Sequence, residues 1–570
     1  MKKFINRPED VVEEMLEGLL VLHPGAARLA EHKVIVRADA DHARDRQVAV
    51  LSGGGSGHEP AHAGYIGAGM LSAAVLGEVF ASPGSDSVLA AIRAVSGQPG
   101  ALLVVKNYTG DRLNFGVAAE MARAQGIPVE TILVEDDVAL KETAQPAGAR
   151  GLAGTVLIHK LVGAAAAEGR SLSELASIGR AAVESLSTMG VSLSAGTSPI
   201  TGRASFTLGE GEMELGLGIH GEPGILRTEL QTADELVETL LGTLLKHGEF
   251  GADKRVALLI NNLGATTHME LAIVARHAKP FLEQHGYVVE RVYAGTFLSS
   301  LDMAGLSISV LGLHDDWLGL LDAPTTAPAW PNAPRQPPGT QVARRSPQPG
   351  IPPSPPAGTG LQSQAGGKTQ RAIEAACKAL IQAEPELTEL DRITGDGDLG
   401  ASMERAARAV LSALPSFPLA DIPATLRSIA ETLRRDVGGS SGPLYAVFFL
   451  RCATVLQHSR ASGLTRWAEA LDGGCHAISE LGGAHPGDRT MLDALHPFAQ
   501  ALNEGREAAA ESDVLHRALH AAERGAEATA QMHPRFGRSS YLGARVLGHP
   551  DPGAIAVAIW LRAAVEAILS

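Results

Sequence analysis

Apolar positions in the first 320 or so residues alternate between two periods. Short β-branched runs (QVAVL, ALLVVKNY, VETILVED, RVALLINN and VVERVYAG) predict strands. Between them SDSVLAAIRAVSG and TADELVETLLGTLLKHG repeat apolar residues at helical spacing. That alternation predicts α/β layers built largely on parallel strands. Beyond about residue 368 the strand-like runs stop. TQRAIEAACKALIQ, ASMERAARAVLSAL, IPATLRSIAETLRRD, RWAEALDGGCHAISEL and VAIWLRAAVEAIL are rich in Ala and Leu with a helical period throughout. The C-terminal part is therefore predicted to be all helix, with the polar, glycine-rich segments GDGDLG, GGSSGP, GGAHPGDRT and GHPDPGA as the loops between helices.

Twelve of the 32 prolines lie between Pro324 and Pro356, in a stretch without apolar periodicity. Such composition favours extended, solvated backbone, so it reads as a semi-stiff spacer. The expected organisation is an α/β domain at 1–322 with lobes at about 1–188 and 191–322, a linker at 323–367, and a helical domain at 368–570.

At 570 residues and 45% hydrophobic, the chain can bury several cores. A formal net charge of -15 argues against broad nucleic-acid or anionic-membrane binding, while leaving room for a local phosphate pocket. No unbroken apolar run reaches the length of a spanning helix, and MKKFINRPEDVVEEMLEGLL carries acids where a signal peptide needs apolar residues. Cys377, Cys452 and Cys475 are odd in number and far apart, which fits reduced, buried thiols. Together these features predict a cytoplasmic protein.

The segment VAVLSGGGSGHEP runs a strand into a glycine loop. A phosphate-binding Walker loop requires Lys where His58 stands, and a dinucleotide fingerprint beginning at Gly53 requires glycine there. What remains is a loop whose backbone can approach a small ligand, with His58 at its end. Lys106, Asp111 and His220 also fall at strand ends or in glycine-rich loops, where α/β folds place ligands. Together with His58 they suggest a small polar pocket holding a base and a nucleophile. Downstream, LDRITGDGDLG crowds Asp391, Asp396 and Asp398. Carboxylates so close repel one another unless a cation compensates them, and oxygen donors select hard ions. A calcium loop starting at Asp396 would need a polar ligand at Gly400 and Glu at Ala407, so Mg²⁺ shared with substrate phosphates is favoured.

These blocks resemble one family. GGGSGHEPAHAGYIGAGML, KNYTGDRLNFG, RGLAGTVLIHK, GLGIHGEPG and NNLGATTHMEL, followed by LDRITGDGDLG, GGSSGPLY, GGAHPGDRTMLDAL and GRSSYLGARVLGHPDPGA, are similar in content and order to single-chain ATP-dependent dihydroxyacetone kinases. The resemblance implies a two-lobed α/β substrate domain and a nucleotide domain that is a closed barrel of antiparallel helices. It implies that His220 adds to the ketone of dihydroxyacetone as a hemiaminal, that Asp111 takes a hydroxyl proton, and that His58 orients the substrate beside Gly55, Ser56, Gly57 and Lys106. It places Mg²⁺ on Asp391, Asp396 and Asp398. ATP is implied at Gly400, Ala401, Ser402 and Met403, at Ser440 and Ser441, at Gly482, at Thr490 and Met491, and at Asp551, Pro552 and Gly553, with Arg538 as a further phosphate contact. A homodimer is implied as well. His485 stands where relatives commonly carry lysine, and Ala544 where many carry an acid. Two alternatives keep the same site: a triokinase-type enzyme that also phosphorylates glyceraldehyde or cleaves FAD to a cyclic flavin phosphate, and a non-catalytic ketone-binding regulator.

Overall fold

In the computed structural model, described for residues 2–140, 149–222, 224–314, 316–332, 364–436, 441–504, 510–536 and 538–570, the chain forms two compact units, 1–345 and 346–570. The first is built on two six-stranded sheets. In the first sheet β1 (Ala26–Arg28), β2 (Val34–Arg37), β4 (Ala73–Val79), β3 (Ala49–Ser56), β5 (Ala101–Lys106) and β6 (Val129–Val134) lie side by side in that order. β3, β4, β5 and β6 run parallel. β3 and β5, in the middle of the sheet, are buried along their whole length, as expected of strands covered on both faces.

The second sheet has the order β11 (Val288–Gly295), β10 (Arg255–Asn262), β12 (Gly305–Gly312), β7 (Leu186–Ser192), β8 (Glu212–Leu215) and β9 (Leu226–Glu229). Here the expectation of parallel strands fails except for β10 and β11; every other pair is antiparallel. The cause is the connections. The link from β11 to β12 has no crossover helix, so β12 returns antiparallel beside β10. β7 already belongs to this sheet while helix Leu172–Glu184 packs on β5 and β6, so the lobes divide just after Glu184.

One apolar core crosses that divide, joining Ile35, Val104 and Tyr65 to Leu259, Trp317 and Trp330. Trp330 and Ala327 are buried in it, and the Thr325 hydroxyl donates to the Ala68 carbonyl. Residues 324–332, which the proline count assigned to the spacer, thus pack on the first unit. The remaining linker, 333–363, lies outside the described residues.

Glycine at position 53 is a packing requirement: a Cβ there would collide with the Val75 carbonyl oxygen of the neighbouring strand and press on Phe115. Gly53→Ala is expected to destabilise the first unit by about 1–3 kcal/mol, read by urea or thermal unfolding. An unchanged midpoint would show that β3 and β4 can part without cost.

The second unit is all helical. Eight helices, Gln364–Gln382, Leu399–Ala413, Ile422–Asp436, Ser441–His458, Gly463–Gly482, Leu492–Glu504, Glu511–Ala528 and Pro552–Leu569, each pack on the one before, and the eighth packs back on the first. A short helix, Glu384–Thr394, caps the junction of the first two staves. The contact of the eighth stave with the first closes the ring, so this is a barrel of antiparallel helices. Its interior holds an apolar cavity of about 490 Å³ lined by residues such as Cys377, Met403, Phe448 and Leu515. All three cysteines are buried thiols. The eighth stave is long and apolar enough to cross a membrane by composition. In the barrel its Arg562 pairs outward with Glu523 while Ala554, Val557 and Leu561 enter the core.

Candidate active site

His58 is delivered by the glycine loop at the end of β3 and is completely buried. Its Nδ1 lies 2.9 Å from the Ser299 carbonyl oxygen, so that nitrogen carries the proton and donates it. Nε2 is left as an acceptor with no hydrogen-bond partner among the described residues. Burial, with His220 and Lys106 nearby, holds the ring well below the usual imidazole range, which keeps Nε2 unprotonated. The loop is held to the second lobe, because Ser299 N–H donates to the His58 carbonyl and Leu301 N–H to that of Gly57.

His220 sits between β8 and β9, a fifth exposed. Three rings wall it: His58 at 4.8 Å, Phe80 at 5.2 Å and Tyr108 at 4.5 Å between centroids, all edge-on. Glu222 grips it from below. One carboxylate oxygen is 2.8 Å from His220 Nδ1 and the other accepts the His220 backbone N–H at 3.0 Å. Burial opposes ionisation of Glu222, but the hydrogen bonds from the His220 ring and backbone outweigh it and hold the carboxyl down to about 2. An ionised acceptor on Nδ1 fixes the proton there and leaves the Nε2 lone pair for a ligand. Arg150 steadies the same turn: Nε donates to Asp137 at 2.7 Å and Nη2 to the Gly216 carbonyl at 2.6 Å.

Asp111 opens the helix Thr109–Ala124, where the N-terminal dipole favours an anion, and is buried. Lys106 Nζ lies 3.8 Å from its Oδ2. A Cβ on Gly54 would fall 2.6 Å from that ammonium and 3.5 Å from the carboxylate, so the missing side chain is what lets the pair converge. The loop residues differ in what they still offer. The Ser56 hydroxyl donates to the Gly77 carbonyl, and the Gly57 N–H is held by Glu59, while Gly55 packs on the Phe80 backbone. Tyr108 and Ser82 each bring a buried hydroxyl without a partner among the described residues.

The second cluster is at one end of the barrel. Alternation puts the loop before the second stave at the same end as those joining staves three to four, five to six and seven to eight. Asp391, Asp396 and Asp398 bring one oxygen each within 4.8 Å of one another. Asp391 is anchored by the backbone N–H groups of Asp398 and Leu399, at 2.9 and 3.1 Å, and burial together with its two acidic neighbours pushes its carboxyl up. Three carboxylate oxygens meeting at one point fit a hard divalent cation. Gly400, Ala401, Ser402 and Met403 form the first turn of the second stave, although the Met403 side chain turns into the apolar cavity. Ser441 begins the fourth stave and Gly482 ends the fifth. Ser440 lies outside the described residues; Arg538 opens the short helix Arg538–Tyr541.

Thr490 and Met491 meet the Asp551–Gly553 turn, with Gly553 facing Met491. Arg489 ties the two loops: fully buried, it donates from Nη2 to the His549 carbonyl at 2.9 Å and faces Asp551 at 3.9 Å. Burial pushes Asp551 up to about 6, with Arg489 opposing. Asp551 also caps the eighth stave by accepting the Ala554 N–H. His485 is exposed at this rim.

Residues 17–329 match the Dak1 domain family and residues 393–566 the DAK2 domain family. The chain is 43% identical to the human triokinase/FMN cyclase, covering all of both proteins, and 46% identical to a tomato (Solanum lycopersicum) protein described as a putative 3,4-dihydroxy-2-butanone kinase, over all of this chain and 98% of that one. It belongs to the single-chain dihydroxyacetone kinase family. The dihydroxyacetone kinase of Citrobacter freundii, solved in native form and in complex with AMP-PNP and Mg²⁺, superposes with a TM-score of 0.63 at 35% identity over 99% of each chain. A member of this kinase family, the chain carries a histidine-lined pocket in its first unit and a carboxylate cluster at the rim of its helical barrel.

Sequence reading passed over Glu222, Ser299, Tyr108 and Arg489. Glu222 was within reach, standing two residues after His220 in GIHGEPG; Ser299 gives no local signal, because its contact with His58 spans 241 positions.

Proposed function

We propose that the protein transfers the γ-phosphoryl group of ATP to a terminal hydroxyl of dihydroxyacetone held covalently on His220. The observation that carries this reading is the proton assignment at His220: Nδ1–H is committed to an ionised Glu222, so Nε2 presents its lone pair inside a wall of rings. That lone pair adds to the ketone carbon and the carbonyl π pair moves to oxygen; the Nδ1 proton of the resulting imidazolium leaves through Glu222 and a proton reaches the alkoxide, giving a neutral hemiaminal with Glu222 ionised again. The tether holds a three-carbon substrate in one orientation, which replaces binding contacts that it is too small to make. His58 Nε2, an acceptor with nothing else to accept, suits a substrate hydroxyl. Asp111 takes the proton of the hydroxyl that attacks phosphorus. Asp391, Asp396 and Asp398 would hold Mg²⁺, which neutralises phosphate charge when bound.

A second reading is favoured by full-length similarity to the human triokinase/FMN cyclase: the same site would also accept glyceraldehyde, and the nucleotide end would cleave FAD. A coupled assay with Mg-ATP and dihydroxyacetone tests the first reading, and D-glyceraldehyde and FAD run beside it test the second. A wild-type protein inert toward dihydroxyacetone would overturn the proposal.

Glu222→Gln probes the proton assignment. Both Glu222 oxygens accept, whereas an amide has one acceptor and one donor end, so one donor of His220 must face an NH₂. The expected result is a loss of about 10- to 100-fold in kcat/KM for the ketone with the KM for ATP unchanged. Wild-type kinetics would mean that Glu222 does not set the tautomer.

A further inference from the structure

Behind the ketone pocket runs a second row of polar groups that the steps above leave unused. His62 and Lys106 are both buried, and Lys106 Nζ lies 3.0 Å from His62 Nε2 and 3.4 Å from the Gly53 carbonyl oxygen. On the other side of the imidazole, Nδ1 is 3.3 Å from Ser52 Oγ, and Ser52 donates its own proton to the Val104 carbonyl at 2.7 Å. These contacts admit one arrangement of hydrogens. The Ser52 hydrogen is committed to Val104, so its oxygen accepts from His62 Nδ1–H; Nε2 then has no proton and accepts from the Lys106 ammonium.

A carboxylate that must take a proton from a substrate hydroxyl loses basicity when an ammonium closes onto it. Lys106 and Asp111 are 3.8 Å apart, longer than a hydrogen-bonded ion pair, although both are buried and nothing but the space over Gly54 separates them. We propose that His62 is a positioning residue for phosphoryl transfer: its Nε2 lone pair draws the Lys106 ammonium back so that the cation faces Asp111 without closing onto it. The catalytic base then keeps its oxygen for the substrate, while the ammonium still offsets its charge. Ser52 belongs to the same device, because it decides which nitrogen of His62 is the acceptor. This role rests on the kinase reading and deepens it.

The surroundings let the effect be read at one group. His62 faces Lys106 from β5, His159 from the helix Thr155–Ala167 at 5.1 Å between rings, and His58 from its own loop; Asp136 stands behind Lys106. Burial, then the Lys106 charge, holds His62 well below the ordinary imidazole range, and burial lowers His159 to about 3. Neither imidazole titrates across a neutral assay range, so an acid limb in kcat there does not come from His62 itself.

The experiment compares kcat and its pH profile for dihydroxyacetone phosphorylation in the full chain as wild type, His62→Ala, His62→Gln and Ser52→Ala. With His62→Ala the ammonium moves onto Asp111, kcat falls about 10- to 100-fold with KM little changed, and the acid limb moves to lower pH. Gln can place its Oε1 where Nε2 was, so His62→Gln recovers most of the loss. Ser52→Ala loses less in the same direction, and adding it to His62→Ala causes no further loss, as for members of one chain of contacts. An active wild type with His62→Ala equal to it in kcat and profile overturns this role alone. So does equal impairment of the Ala and Gln variants with an unmoved acid limb, which marks a packing role. An inert wild type overturns the reaction as well.

Discussion

His220→Ala is expected to lower kcat/KM for dihydroxyacetone by roughly three orders of magnitude or more, because it removes the nucleophile proposed to keep a small, weakly bound ketone in reacting geometry. The loss should appear mostly as failure to hold substrate. Nuclear magnetic resonance with dihydroxyacetone labelled at its central carbon gives the direct readout: with wild type the carbonyl signal is partly replaced by one in the tetrahedral range, and with His220→Ala it is not. The side chain is a fifth exposed and its neighbours are rings that can close over the gap, so the fold should survive. A variant that still showed the tetrahedral signal would move the nucleophile elsewhere, and full activity without the signal would remove covalent holding from the mechanism.

The second large effect belongs to the other unit. Asp396→Ala and Asp398→Ala, at exposed positions of the acidic cluster, should each reduce phosphorylation by about 10²- to 10³-fold by weakening Mg²⁺. Raising Mg²⁺ should restore part of it. The tetrahedral carbon signal should be untouched, since the ketone chemistry is in a different unit. This crossed pattern, in which one variant loses the adduct and the other loses transfer, is a demand specific to a two-part kinase. Activity of both aspartate variants at limiting Mg²⁺ would place the metal elsewhere.

The sequence showed most where chemistry is local. The aspartates of LDRITGDGDLG fall within eight positions and do converge on one point. The helical period of IPATLRSIAETLRRD corresponds to the helix Ile422–Asp436. Closure of the barrel was implied by family resemblance alone, since the contact of its first and last staves has no local trace. The second sheet was misjudged because a strand's apolar pattern is the same in parallel and antiparallel pairing; what decides is whether a crossover lies between, and 296–304 contains none. Likewise proline content assigned 324–332 to the spacer, but Ala327 and Trp330, buried among those prolines, outweigh the extended tendency of their neighbours. In the pocket, His58 and His220 were visible as residues, but their proton positions were not. Those depend on Ser299 and Glu222, one remote in sequence and the other overlooked beside its partner.

The stitching of His58 and Gly57 to Ser299 and Leu301, with Tyr65 bonded to the Phe297 carbonyl close by, also decides how the ketone gets in. A jaw-like opening of the lobes would rupture all of these bonds together and flood a core that both lobes share. These bonds hold the frame of the pocket in place, and the short turn that carries His220 is the part with fewer ties to it. It is anchored by Glu222, which accepts the His220 N–H, by Arg150, which donates to the Gly216 carbonyl, and by the Ser300 hydroxyl, which donates to that of Ile219. Substrate and product are therefore expected to pass at the turn that carries His220, with the frame around it stationary.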